Sequence, residues 1–336
     1  VTEPDGAELE SLLEYLRDTR SLDFTGYKRP SLTRRIRKRM HEVDAERFDD
    51  YRDVLESDPA EQARLVDTIL INVTAFFRDE DAWQFLADEV VPGIVEAAGD
   101  GPIRVWSAGC ASGEEAYSLA MVFADHVGVD EFRHRVKIFA TDTDDGALAE
   151  ARRGVYTRRQ LEPVSAERIE RYFEPVDDGF AFRSDCRRQV IFGSNDVTAD
   201  APISHLDLLV CRNVLMYLVT DTQRHVLHRF HYALEPHGHL FLGKAETISA
   251  RSDLFDPVDS QLRLFRRTPG PDLPQGIGAL AERVGSDDVL HELALAATPV
   301  AQIVLDVEGR VSGVNTRARA MLGVSVDDIG RSFRVL

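Results

Sequence analysis

The stretch IRVWSAGCASGEEAYSLAMVFA, residues 103–124, decides the fold. It opens as a short apolar strand (Ile103, Val105, Trp106) and breaks into small residues from Ser107 to Gly113. It then becomes a helix whose Ala116, Leu119, Ala120 and Phe123 recur at helical spacing. A strand that turns through glycines into a helix N-terminus brings bare backbone N–H groups up to a ligand. Glu114 and Glu115 suit the helix dipole at that N-terminus but repel phosphate, which disfavours a dinucleotide or a nucleoside triphosphate. A cationic, phosphate-free nucleoside fits instead, and S-adenosylmethionine, with a sulfonium and an ammonium, has that chemistry.

Downstream, strands and helices alternate in the pattern of a parallel α/β sheet. Residues 136–140 read as a second strand, ending in Thr141-Asp142-Thr143-Asp144. An acidic residue at such a strand end accepts hydrogen bonds from two ribose hydroxyls. The gap from Gly109 to Asp142 is longer than the ~20 residues of a dinucleotide fold, and a helix N-cap competes as the role of Asp144. Residues 190–192 form a third strand, ending in Gly193-Ser194-Asn195-Asp196, and 206–210 a fourth, running into Cys211-Arg212-Asn213-Val214-Leu215-Met216-Tyr217. A helix (Val226, Leu227, Phe230, Leu234) and a turn at Glu235-Pro236-His237-Gly238 precede a fifth strand at 239–243, and 261–265 closes the sheet as a hairpin strand. The segment 155–189 reads as an insertion or cover. All the polar clusters fall beyond the carboxyl ends of the strands, where open α/β sheets bind ligands.

Upstream, residues 8 to 90 read as helices, with Leu9, Leu12, Leu13 and Leu16 in one stripe, Val54 and Leu55 in another before Asp58-Pro59, and Leu65, Ile69 and Leu70 in a third. Between the first two, Pro30-Ser31 marks a helix start. From Lys28 to Arg39 that segment carries seven positive charges and no negative one. A solvated helix face and a surface for an acidic partner are both open readings; nucleic acid is disfavoured because no aromatics interleave the run. Asn72, Thr74 and Arg78 bracket Phe76-Phe77 more densely than core packing needs. The turn Gly99-Asp100-Gly101-Pro102 opens the sheet domain.

Composition bounds the rest. The 336 residues carry a formal net charge of −18, with 36 Arg, 4 Lys and 58 acidic residues. This balance disfavours nucleic acid and anionic membranes and points to a soluble, halophilic protein. Three scattered cysteines (Cys110, Cys186, Cys211) provide neither a disulfide framework nor a metal site and fit a reducing compartment. No apolar run reaches the ~18 residues of a membrane span, and the N-terminus lacks a signal-peptide core, so a cytoplasmic location without membrane insertion is expected.

Five segments together resemble the CheR family of chemotaxis receptor methyltransferases: NVTAFFRD at 72–79, WSAGCASGEEAYSLAM at 106–121, FATDTD at 139–144, CRNVLMYL at 211–218 and GKAE at 243–246. The resemblance covers residues 8–268. It implies an α/β fold, a class I (Rossmann-like) S-adenosylmethionine-dependent methyltransferase sheet with an N-terminal all-helical domain and a small β-subdomain insertion at 172–190. The domains expected are 1–90 (helical), 91–268 (methyltransferase), 269–288 (a Pro/Gly linker) and 289–336, whose residues 292–332 are similar to the first half of a PAS sensor. The implied activity is methylation of glutamate side chains on methyl-accepting chemotaxis receptors, with S-adenosylhomocysteine as product.

Carried over by position, the resemblance implies cofactor contacts at Asn72, Thr74, Arg78, Glu115, Asp142, Asn195, Asp196, Asn213 and Val214. Glu115 would pair with the methionyl ammonium and Asp142 with the ribose hydroxyls. Asp196, or the backbone beside it, would accept from the adenine amino group, and Asn213 with the Val214 backbone would fix the methionine portion. Arg78 and Tyr217 are the expected catalytic pair, aiming the acceptor carboxylate. The basic residues Lys28, Arg29, Arg34, Arg35, Arg37, Lys38 and Arg39 would face the receptors' acidic methylation helices. The chain departs from the family with Asn195-Asp196 for Asn-Leu, Gly243-Lys244-Ala245-Glu246 around a usual His-Ser-Glu, and Cys110-Ala111 in the glycine loop. The rival reading is a non-catalytic S-adenosylmethionine- or S-adenosylhomocysteine-binding signalling module coupled to the PAS-like tail.

Overall fold

The computed structural model describes residues 3–20, 23–70, 72–246, 248, 254–268, 303–305, 311–314 and 331. It separates into two units, Val1–Thr268 and Pro269–Leu336. Four helices lead the first unit: α1 (Glu3–Arg20), α2 (Arg29–Glu42), α3 (Phe48–Ser57) and α4 (Pro59–Ile69). The leucine stripe of α1 packs against Leu32, Ile36 and Met40 of α2, Phe48, Tyr51 and Leu55 of α3, and Leu65 and Ile69 of α4, so each helix buries one face. Asp58 starts α4 by accepting from the Ala60 N–H at 2.9 Å, with Pro59 in the first turn. A buried carboxylate, Glu61, ties three helices together by accepting from Arg39 Nε at 2.9 Å, Tyr51 Oη at 2.8 Å and Arg64 Nη1 at 3.2 Å.

The helices α5 (Glu80–Phe85) and α6 (Val91–Ala98), joined by a π-helical turn, lead into the sheet region. Its strands are β1 (Ile103–Ala108), β2 (Val136–Asp142), β3 (Val155–Tyr156), β4 (Phe173–Val176), β5 (Gly179–Phe182), β6 (Val190–Ser194), β7 (Leu206–Cys211), β8 (Leu234–Leu242), β9 (Phe255–Asp259) and β10 (Leu264–Arg267). Between them run α7 (Glu114–Val127), α8 (Val129–Arg135), α9 (Asp145–Arg153), α10 (Ala166–Tyr172), α11 (Ser184–Arg187) and α12 (Thr220–Ala233). The main sheet has the order β6-β2-β1-β7-β8-β10-β9. Strands β6, β2, β1, β7 and β8 are parallel, and β10 lies antiparallel between β8 and β9. This is the class I methyltransferase arrangement. From β1 the chain winds outward to β2 and β6, then returns to β7 on the other side, so the strand order reverses between β1 and β7. At such a switch point the carboxyl ends diverge and leave a crevice.

The insertion is a separate three-stranded sheet, β3-β5-β4. Two details differ from expectation. The turn at 235–238 is absorbed into β8: Leu206 lies opposite Leu234 while Leu208 lies opposite His239, a bulge that accommodates Pro236 and Gly238 without ending the strand. The closing hairpin has an additional strand, β9, and 261–263 is its turn, with the Gln261 and Leu262 N–H groups donating to Asp259 Oδ1 at 2.8 Å. In the second unit, β11 (Ile303–Leu305) pairs antiparallel with β12 (Val311–Val314). The expected linker and the helix of the PAS-like tail lie outside the described residues.

The helical region is stitched onto the sheet next to the crevice. Lys28 N–H donates to Tyr217 O at 2.9 Å, Val219 N–H donates to Gly26 O at 2.9 Å, and Tyr27 bridges Leu218.

Candidate active site

At the switch point lies an open cleft walled by the helical region on one side and the strand ends on the other. Every residue expected at the cofactor or catalytic site lines it: Asn72, Thr74, Arg78, Glu115, Asp142, Asn195, Asp196, Asn213, Val214 and Tyr217. Its floor is the turn from β1 into α7. The Gly109 and Cys110 N–H groups donate to Thr141 O at 2.7 and 2.9 Å, which clamps the turn against β2. Gly109 has φ +81°, and a Cβ there would collide with Cγ2 of Val214; bare backbone is what keeps this wall open.

Two carboxylates dominate one side. Asp142 accepts the Ala111 N–H at 2.8 Å and the Asp144 N–H at 3.0 Å, and burial raises its pKa despite these bonds. Asp144 caps α9 through Ala147 N–H at 2.9 Å and also accepts from Asn72 Nδ2 at 2.6 Å. Glu115 is 8 % exposed and accepts from Ser107 Oγ at 2.8 Å. Burial pushes it up to about 7, opposed by Arg212, Ser107 and Arg78 and reinforced by Glu246.

Just after β6, Asp196 and Asn195 differ in what their side chains leave unpaired. Asp196 Oδ1 already accepts from the Thr198 N–H at 2.8 Å and Thr198 Oγ1 at 2.7 Å, and its own N–H donates to Asp200 at 2.7 Å. Its carboxylate is therefore engaged in its own turn. The neighbouring Asn195 Oδ1 is buried without a partner, so the acceptor suited to an adenine amino group is Asn195. An orphaned buried acceptor costs ~1–3 kcal/mol, which a ligand donor would offset.

Glu246 organises the loop after β7. It accepts N–H bonds from Gly243 at 2.7 Å, Asn213 at 3.0 Å and Met216 at 3.3 Å. These hold Asn213 in a left-handed conformation (φ +62°) and set Val214 and Tyr217 on the cavity wall. Arg78 is fixed by Nη1 donating to Val73 O at 3.0 Å.

The basic run does not act as one surface. Arg35 is 7 % exposed and lines the cavity, its Cζ 4.5 Å from the Tyr217 ring centroid. Arg29 pairs with Glu10 at 2.6 Å, Arg39 with Glu61 at 2.5 Å, and Lys28 Nζ donates to Met216 O at 2.8 Å. Arg34, Arg37 and Lys38 present exposed charge. Helical geometry is the reason: Leu32, Ile36 and Met40 point inward, so Arg35 turns to the flank that meets the sheet. Tyr27 and Arg212 also line the cavity. Sequence reading missed both because it treated Arg212 as part of a strand end and Tyr27 as part of a helix connection.

Sheet, cleft and residue set define a class I S-adenosylmethionine-dependent methyltransferase. The chain belongs to the CheR methyltransferase family: residues 72–264 match the CheR methyltransferase SAM binding domain and residues 7–70 the CheR methyltransferase all-alpha domain. It is 33% identical over 232 residues to a chemotaxis protein methyltransferase of Listeria innocua, covering 69% of this chain and 87% of that one. It is 32% identical over 234 residues to the chemotaxis protein methyltransferase of Escherichia coli, covering 66% and 78%. A 34% identical match over 267 residues is an uncharacterized 104.1 kDa protein of Rhodobacter capsulatus, covering 78% of this chain and 28% of that much longer relative.

Proposed function

We propose that this protein methylates glutamate side chains of methyl-accepting chemotaxis receptors, forming glutamyl methyl esters. One observation carries the reading: a single cavity joins an anionic wall, Glu115 and Asp142, to a cationic one, Arg78 and Arg35 against Tyr217. The anionic wall suits an ammonium and ribose hydroxyls; the cationic wall suits an acceptor that is itself a carboxylate. When bound, S-adenosylmethionine supplies a methyl group on a sulfonium, open to in-line displacement.

The chain's residues supply position. Glu115 holds the ammonium, Asp142 the ribose, and Asn195 Oδ1 the adenine amino group. Asn72, Thr74, Asn213 and Val214 complete the walls, and Asp196 shapes the turn beside Asn195. A glutamate acceptor is already a nucleophile at neutral pH, so no general base is needed and no proton moves: the new bond is carboxylate oxygen to methyl carbon, and the carbon–sulfur bond's electron pair stays on sulfur. Arg78 and Tyr217 aim the carboxylate, with Arg35 bracing the Tyr217 ring. Arg34, Arg37 and Lys38 offer exposed positive charge to acidic receptor helices. The β11–β12 hairpin supports reading the tail as a PAS-like sensor segment. Among the described residues no helix is long and apolar enough to cross a membrane, in keeping with action on the receptors' cytoplasmic part.

The test is transfer of tritiated methyl from S-adenosylmethionine to membranes bearing the host's chemoreceptors, in molar salt. Base-labile label on receptor bands, reduced ~10²-fold by Arg78→Ala, is expected. Cofactor binding without label on any receptor would leave the non-catalytic signalling module as the better reading.

A further inference from the structure

Arg212 is a buried cation in the cavity wall to which the transfer chemistry above gives no task. It follows the last residue of β7, and its side chain is 3% exposed. Its Cζ lies 4.7 Å from the Phe241 ring centroid and 5.8 Å from that of Trp83. Nη2 donates to Asp79 Oδ2 at 2.6 Å, Nη1 stands 3.9 Å from Glu115 Oε2, and Nε is buried without a partner. Desolvating a guanidinium costs several kcal/mol, and one short hydrogen bond with one longer ion pair is thin compensation. An apolar side chain would pack against the Trp83 and Phe241 rings more cheaply. What a hydrocarbon cannot do is connect the loop carrying Arg78 and Asp79 to the helix start carrying Glu115.

We propose that Arg212 is a positioning residue for the cofactor's ammonium: it holds Glu115 as a carboxylate aimed into the cavity and, through Asp79, locks that carboxylate to the loop that bears Arg78. The proposal rests on the cavity being the S-adenosylmethionine site. Glu115 is faced by Arg212 from the end of β7, Ser107 from β1, Arg78 from the loop before α5 and Glu246 from the loop after β8, with Asp142 and the buried thiols of Cys110 and Cys211 nearby. Arg212 comes first among the groups that favour the ionised form. Removing it moves the ionisation of Glu115 upward, so a cationic ligand binds weakly at neutral pH and recovers in alkali. A purely structural Arg212 would weaken binding equally at every pH.

The experiment is calorimetric titration of the full chain with S-adenosylhomocysteine between pH 6 and 9, for the wild type, Arg212→Met, Arg212→Lys and Asp79→Asn. Wild-type affinity should fall below pH about 7. In Arg212→Met the fall should begin at least one unit higher, giving about tenfold or more weaker binding at pH 7 and near-recovery at pH 9. Arg212→Lys should restore the wild-type midpoint, and Asp79→Asn should leave that midpoint in place while lowering the methyl-transfer rate. A pH-independent loss in Arg212→Met, or an unmoved midpoint, would overturn the proposal; should Arg212→Met fail to fold, Arg212→Gln removes the same charge, and a midpoint it leaves unmoved overturns the proposal equally. Wild-type protein that binds no S-adenosylhomocysteine at any pH would remove the cofactor reading itself, an outcome distinct from the other two.

Discussion

Glu115 shows how a single residue trades stability for ligand binding. Its carboxyl is raised from an ordinary ~4.3 to about 7 by burial. A raised acid contributes stability below its unfolded pKa and loses it as pH climbs to the folded one. The free protein therefore forfeits about 4 kcal/mol at this site by pH 8. Glu115→Gln keeps an acceptor for Ser107 and cannot ionise. Its Tm without ligand should exceed that of the wild type at pH 8, and the two should converge near pH 4 in thermal melts. Saturating S-adenosylhomocysteine should reverse the order at pH 8, because only the wild type gains an ion pair with the ammonium. The type of residue at 115 was readable from Glu-Glu at a helix start; its burial, and hence this pH dependence, was not.

At the scale of elements, the site consists of strand ends bent into shape by contacts distant in sequence. The loop after β7 takes its form from Glu246, which lies beyond β8 and receives three backbone N–H groups. Gly243 stands where a Cβ would sit 2.7 Å from Asn213 N and 3.0 Å from Glu246 Oε2. Gly243→Ala should therefore push Asn213 and Glu246 apart, costing ~1–3 kcal/mol in denaturant unfolding as buried donors lose their acceptor, and should weaken S-adenosylhomocysteine by at least tenfold in the same preparation. A stable variant with normal affinity would show that Glu246 does not shape the cofactor wall. The strands themselves were legible as apolar runs with polar ends. The bulge that keeps 235–238 inside β8 was not, because Pro and Gly mark a turn locally and only the neighbouring β7 determines whether the strand continues.

For the whole molecule, the helical region and the sheet share the cavity: Tyr27 and Arg35 come from the first, Asp142 and Asn213 from the second. Gly26, Tyr27 and Lys28 join them through backbone pairing to 217–219. Charge acts at the same scale. With a net charge of −18, self-repulsion opposes the compact state, and salt screens it. The Tm should rise from 0.1 to 2 M KCl, and S-adenosylhomocysteine binding should persist across that range because the site's pairs are buried; a Tm that falls with KCl would contradict the link between acidity and a high-salt setting.

By itself the sequence carried the alternation of strands and helices, the ligand groups beyond the strand ends and, through its resemblance to the CheR family, ten residues that line the cavity. The alternation and the strand ends follow from local periodicity and the rule that strand ends carry the ligand groups; the ten residues follow from the resemblance to the CheR family. Tertiary structure alone decided that Arg35 leaves the basic surface for the cavity, that Asp196 is consumed by its own turn while Asn195 is left with a free acceptor, and that Arg212 stands between Asp79 and Glu115. Arg35 and Arg212 depend on partners tens to hundreds of residues away, where no local pattern records them, whereas Asp196 is held by Thr198 and Asp200 within its own turn.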